Sequence, residues 1–317
     1  MASRNRSQTQ VNDIMAGPRG RANKNMGRQP LWARGLAILS VLLLVATAYV
    51  YLCRPYQLNW GATAAEIERP MPGDELNTNP SFLATRAITI DAAPEEVWPW
   101  LLQMGYGRAG FYGYDLLENA GSPKGLRSAG EILPELQDFV VGDEVPISAV
   151  VSMTFHSIEP NRYLIWIGND TPNPGAFTWA VYPLHGDSTR LISRIRWRYH
   201  PTSVTTFALE LFTEFADHVA VRKILHGIKQ RVEGNIEPMW VQNIEFSTFV
   251  CTFLTFIVAL LLLCWRRLTW WTWGAGLFAG IVWLSNWYAS VPTWTGMLFA
   301  LFAIGALFLT RRAGASI

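Results

Sequence analysis

From Arg54 to Val250 the chain contains no cysteine; its three cysteines are Cys53, Cys251 and Cys264. That stretch therefore offers no disulfide, no thiolate nucleophile and no cysteine metal ligand. Histidine is nearly as scarce. His156, His185, His200, His218 and His226 form no metal-ligand spacing, and His218 and His226 lie eight residues apart, roughly 80° round a helix. Asp217 and His218 are adjacent, and neighbours on a helix point apart. No nucleophile–base pair stands out, so no catalytic residue is assigned and neither a metal nor a cofactor is expected.

Charge is missing in a second pattern. Gly35–Leu52 (18 residues) and Phe246–Cys264 (19 residues) hold no Asp, Glu, Lys or Arg, and neither do Leu268–Tyr288 and Val291–Thr310. At about 1.5 Å per residue, each is long enough for a hydrocarbon core of about 30 Å. Trp, Tyr and Arg edge them, as expected at membrane interfaces. Four transmembrane helices are expected: 35–52, 246–264, 268–288 and 291–310. With no charge inside any span, ion transport and proton relay are excluded.

The charges that are present are segregated. Residues 1–34 carry seven basic groups against Asp13, while Cys53–Glu245 holds 15 basic and 23 acidic residues. The remaining arginines are Arg266, Arg267, Arg311 and Arg312. With four spans, the arginine-rich pieces all fall on one side, which the positive-inside rule makes cytoplasmic. The expectation is a multi-pass protein of the plasma membrane with both termini cytoplasmic and the acidic section outside. Residues 1–34 read as a basic, disordered cytoplasmic tail whose charge topology explains, so no nucleic-acid partner is expected. Gly276–Gly280 forms a GxxxG motif, suited to a homo-oligomer contact through the third span.

Residues 53–83, rich in Pro, Asn, Thr and Gly, read as a linker with one helical turn at Ala64–Glu68. Arg86–Asp91 alternates as a half-buried strand. Pro94, Glu95 and Glu96 then open a helix with Val97, Trp100, Leu101 and Met104 on one face, shortened or kinked by Pro99. A second short helix spans Tyr114–Ala120. Alternating sets follow: Val151, Met153 and Phe155; Tyr163, Ile165 and Ile167; Phe177, Trp179 and Val181. After a turn at His185–Asp187, Leu191, Ser193, Ile195 and Trp197 return, with Arg190, Arg194, Arg196 and Arg198 on the opposite face. That cationic stripe is expected on a solvated face, with anionic lipid headgroups as the sharper alternative. A long helix, Val204–Glu233, carries Phe207, Leu211, Phe215, Leu225 and Val232 along one stripe.

This order, with the strand–APEEVW–helix opening and the GYGRAGFYGYDLLEN run, resembles the START-like superfamily (SRPBCC, or polyketide cyclase/dehydrase-like) over residues 84–237. The resemblance implies an α+β helix-grip fold: a curved antiparallel sheet around a long C-terminal helix, with an apolar cavity between them. The superfamily includes lipid carriers, cyclases and chaperone cofactors, so the fold leaves activity open. Gly105–Gly110 matches G-x-G-x-x-G, but it follows a helix, so it is expected to turn the chain at the cavity mouth and not to bind a nucleotide.

Arg108, Tyr112, Tyr114 and Asp115 are the candidate polar groups at that mouth; Arg108 suits a carboxylate or phosphate head. Their plainer use is structural: the tyrosines between helix and sheet, Arg108 and Asp115 paired on the surface. Met104, Phe155, Trp166, Phe177 and Trp179 are expected as apolar wall, together with Trp197, Tyr199, Phe207 and Phe215. Three functions follow. The first is a membrane-anchored domain holding a lipid or other hydrophobic small molecule. The second is a cyclase/dehydratase-type enzyme in which Tyr112, Tyr114 or Arg108 polarises a carbonyl. The third is an envelope sensor or assembly protein, favoured if Trp and Phe fill the interior.

Overall fold

A computed structural model describes residues 49–168 and 174–264, with isolated positions between 36 and 47 and between 280 and 305. Contacts divide the chain into two units, Met1–Cys53 and Arg54–Ile317. In the first, Tyr49–Cys53 forms a π-helical turn. The tail expected at 1–34 lies outside the described residues. So do most of the spans expected at 35–52, 268–288 and 291–310, and all of the GxxxG segment except Gly280. Among the described residues, those of the span expected at 246–264 included, no helix is long and apolar enough to cross a membrane.

Two short helices, α1 (Arg54–Leu58) and α2 (Ala64–Glu68), precede strand β1 (Phe82–Ile90). Helices α3 (Pro94–Leu102) and α4 (Asp115–Glu118) follow. Five strands come next: β2 (Glu144–Pro146), β3 (Ser152–Glu159), β4 (Tyr163–Ile167), β5 (Ala176–Pro183) and β6 (Thr189–Trp197). Helices α5 (Val204–Val232) and α6 (Met239–Cys264) complete the described elements. All six strands pair antiparallel in the order β1-β6-β5-β4-β3-β2. Between Phe155 and Ser157 the β3–β4 register shifts, a bulge that bends the sheet.

Period-two alternation sorts the side chains. Phe155, Leu164, Trp166, Trp179, Val181 and Leu191 point to one face, where α3 adds Val97, Trp98 and Leu101 and α5 adds Val221, Ile224, Leu225 and Ile228. On β4, the inward pair is Leu164 and Trp166, while Ile165 lies on the other face beside Gly73. The long helix grips the sheet through its C-terminal half. Phe215 and Val219 pack instead against Tyr114, Phe246 and Phe249. Phe207, expected in the wall, is 52% exposed because α5 meets the core only further along.

The section expected as a linker is instead a strap across the outer sheet face. Its carbonyls find donors in the arginine stripe. Arg194, 3% exposed, donates from Nη1 to Arg69 O (2.8 Å) and from Nη2 to Glu66 O (2.7 Å) and Ile67 O (3.0 Å). It also pairs with Asp74 at 2.8 Å and bonds Thr85 Oγ1 from Nε. Arg190 pairs with Glu66, Arg196 holds Asn77 O and Arg198 holds Asn79 O. The stripe is therefore neither a solvated face nor a lipid-headgroup site: backbone acceptors and carboxylates of the strap occupy it. Met71 closes the contact against Ala87, Ala180 and Ile192. At its start the strap passes between β1 and α5. Gln57 O accepts from Arg86 Nε (2.8 Å) and His218 Nδ1 (3.0 Å), and Arg86 Nη1 reaches Asp217 at 2.5 Å.

Candidate functional site

The loop after α3 is shaped by glycines. Gly105 and Gly110 exchange backbone hydrogen bonds (3.2 and 3.1 Å), closing a tight turn. Gly107 and Gly110 hold φ of 68° and 79°. These angles are nearly free only to glycine. Tyr112, at φ 67°, adopts the left-handed region without that freedom, a strain that the surrounding contacts hold in place. Its hydroxyl donates to Trp100 O (3.1 Å), its ring lies 4.4 Å from the Arg231 guanidinium, and its carbonyl presses on Gly227 of α5. Burial raises the Tyr112 hydroxyl well above its ordinary range.

Tyr114 and Asp115 serve a different contact. The Tyr114 hydroxyl donates to Glu245 Oε1 (2.9 Å), and Lys223 bridges Glu245 (2.6 Å) and Glu237 (2.8 Å). Asp115 N donates to Gln242 Oε1, while Asp115 Oδ1 accepts from Ser128 N. Both residues fasten the loop to α6. Asp115 does not pair with Arg108. Glu118, which sequence patterning did not single out, accepts from Gly113 N (2.9 Å), and burial pushes its carboxyl up to about 7.

Arg108 stands apart. Its guanidinium lies 3.7 Å from the Phe139 ring and 5.7 Å from the Phe155 ring, and Nη2 donates to Leu102 O at 2.5 Å. Among the described residues no carboxylate stands within 4.0 Å of it, and its Nε and Nη1 have no hydrogen-bond partner although both are buried. Desolvation lowers its pKa to about 10, partly offset by Tyr112 and Asp143. From Phe155 the aromatic contacts continue to Trp166 (6.2 Å) and Trp179 (5.9 Å beyond), with Phe177 against both. The indole N–H groups of Trp166 and Trp179 are also buried without an acceptor.

Of the expected wall residues, Met104, Phe155, Trp166 and Trp179 belong to this main cluster, with Phe177 and Trp197 packed partly against it. Tyr199 stacks on Phe82 in a separate group, where burial pushes its hydroxyl up to about 12. Phe207 and Phe215 stand outside. Phe139 went unnoticed because it sits in an irregular segment with no periodicity. The unpartnered donors went unnoticed because sequence does not reveal where an N–H points.

A cleft of about 810 Å³ lies elsewhere, lined by Arg69, Tyr163, Tyr182 and the β5–β6 hairpin. Among the described residues no group of three or more His, Cys, Asp or Glu is placed to hold a metal.

No family model and no curated protein matches the chain. Solved structures do. Protein MLL2253 from Mesorhizobium loti is 16% identical over 49% of this chain and 100% of its own, with a TM-score of 0.29. The Polyketide_cyc-like protein Cgl2372 from Corynebacterium glutamicum is 16% identical over 48% and 91%, with a TM-score of 0.31. The Aha1 dimer from Colwellia psychrerythraea is 14% identical over 44% and 92%, with a TM-score of 0.27. The strand order, the two helices between β1 and β2 and the long helix against the sheet fit the helix-grip arrangement expected from the sequence.

Proposed function

We propose that this chain is a membrane-anchored helix-grip module that holds an amphipathic molecule, its apolar body against the aromatic inner sheet face and its acceptor head on Arg108. One observation carries the proposal: four buried donors, Arg108 Nε and Nη1 and the indoles of Trp166 and Trp179, have no protein acceptor. Each such group costs about 1–3 kcal/mol if left unmade. Phe at both tryptophan positions and Leu or Met at Arg108 would build the same core without that cost. A ligand oxygen against Arg108 repays it. Because the donors are sealed from solvent, the turn Gly105–Gly110 has to lift for the head to enter while Tyr112 stays held, and the glycines of that turn allow the movement.

Anchoring rests on the four uncharged runs and the one-sided arginines, which favour cytoplasmic termini and an external domain. Tethering beside the bilayer raises the local concentration of a membrane-soluble ligand. Of the groups named for the enzyme reading, the Tyr112 and Tyr114 hydroxyls are committed to Trp100 O and Glu245, which leaves Arg108 as the one group that could polarise a carbonyl. The sensor reading has one observation in its favour: Trp166, Trp179 and Phe155 are almost fully buried and fill much of the interior. Arg86 Nη2 and Asn77 Nδ2, beside the strap, are stranded in the same way; what sets Arg108, Trp166 and Trp179 apart is that their donors fall along one run of aromatic contacts.

Native mass spectrometry of the full chain, released from a neutral detergent, tests the proposal. The expected result is a stoichiometric amphipathic passenger whose head carries a carboxylate or phosphate oxygen. A bare mass that stays bare after incubation with membrane lipid extract would move the assignment to the sensor reading.

A further inference from the structure

Helices α5 and α6 run antiparallel. Lys223 meets Glu237 and Glu245, and Phe215 and Val219 meet Phe246 and Phe249, so each earlier turn of α5 lies beside a later turn of α6. Only the second half of α5 enters the grip, through Val221, Ile224, Leu225 and Ile228. Its opening ten residues extend about 15 Å before that. They present Val204 (87% exposed), Phe207 (52%), Leu209 (61%) and Phe212 (63%) outward. No charged residue precedes Glu210 in the helix, and Glu214 is buried against Arg54 at 2.7 Å. Further along α6, beyond Phe249, Val250, Phe253, Leu254 and Val258 are exposed.

Apolar surface exposed on both helices is costly in water and marks a contact site. Its occupant is indicated by continuity. The exposed α6 residues belong to the uncharged run Phe246–Cys264, and the antiparallel course of the two helices carries the opening of α5, with no charge in its first six residues, in the same direction from their meeting point. A protein partner's interface would carry a polar rim around its apolar centre; here the apolar character extends along α6. We infer that the opening turns of the grip helix α5 sit in the bilayer beside α6, with Phe207 and Phe212 among lipid acyl chains. This rests on the membrane anchoring proposed above and adds that the ligand-holding helix itself enters the membrane, so that one element joins the bilayer to the interior.

The test uses the full chain with Cys53, Cys251 and Cys264 replaced by Ser, in phosphatidylcholine nanodiscs. A nitroxide is attached at one introduced cysteine, Phe207→Cys or Phe212→Cys, with Val258→Cys reporting the anchor and Val150→Cys (91% exposed, in the β2–β3 turn) reporting water. Collision rates with oxygen, enriched in lipid, and with a water-soluble nickel chelate are compared. The inference expects positions 207 and 212 to favour oxygen as 258 does. If they favour nickel as 150 does while 258 favours oxygen, the inference falls and anchoring stands. If 258 also favours nickel, anchoring itself falls. Shielding from both reagents reports a protein contact, a second copy included, and overturns the inference as well.

Discussion

Replacing Arg194 by methionine destabilises the domain by about 3 kcal/mol, the summed cost of several charge-assisted hydrogen bonds lost at once. Arg194 is the central clamp of the strap. One guanidinium bonds three strap carbonyls, the Asp74 carboxylate and the Thr85 hydroxyl. Methionine fills a similar volume but donates nothing, so the three strap carbonyls lose this donor at once, while Asp74 keeps Arg196. Arg198, which holds only Asn79 O from an exposed position, gives the contrast: Arg198→Met should change stability by about 1 kcal/mol or less. Chemical denaturation of the full chain, with limited proteolysis between Arg54 and Ser81, separates the two. Equal and small losses would mean that the strap does not depend on the stripe.

Gly227→Ala should cost about 2 kcal/mol or more, although alanine at most helical positions gains up to about 1 kcal/mol over glycine. A Cβ built at Gly227 falls 1.9 Å from Tyr112 O and 2.8 Å from Tyr112 C. Neither backbone can give way easily: α5 is gripped there by Ile224 and Ile228, and Tyr112 is held by Trp100 O and Arg231. The loop would be driven off α5, moving the segment that carries Arg108. The expected result is a lowered unfolding temperature together with lost ligand retention. A neutral or raised unfolding temperature would contradict the packing described.

Much of the fold is legible in the sequence, and the reason is periodicity. Phe177, Trp179 and Val181 face inward as their alternation indicates, and α5 begins at Val204 where Ser203 and Thr206 form a capping box. The strap was hidden because its order comes from outside itself. Pro, Asn and Gly make it look like a linker, while the hydrogen bonds that fix it come from arginines more than 100 residues further along the chain. Phe207 shows the limit of a helical stripe: the pattern reveals an apolar face but not whether sheet, another helix or lipid covers it. In the candidate site, sequence supplies residue types and not their partners. Tyrosine, arginine and aspartate single out the loop in the sequence. Their hydrogen bonds then set Tyr112 and Tyr114 to structural duty and left Arg108 with free donors, a distinction that only coordinates supply.

The most direct measurement is the binding of laurate and dodecanol, equal chains with and without an oxyanion, to the full chain and to Arg108→Met in neutral nanodiscs. The wild type should prefer laurate at least tenfold, about 1.4 kcal/mol. Arg108→Met should lose that preference while still binding dodecanol. Equal binding of the two ligands by the wild type, or no binding of either, would contradict an interior that holds an amphipathic molecule by its head.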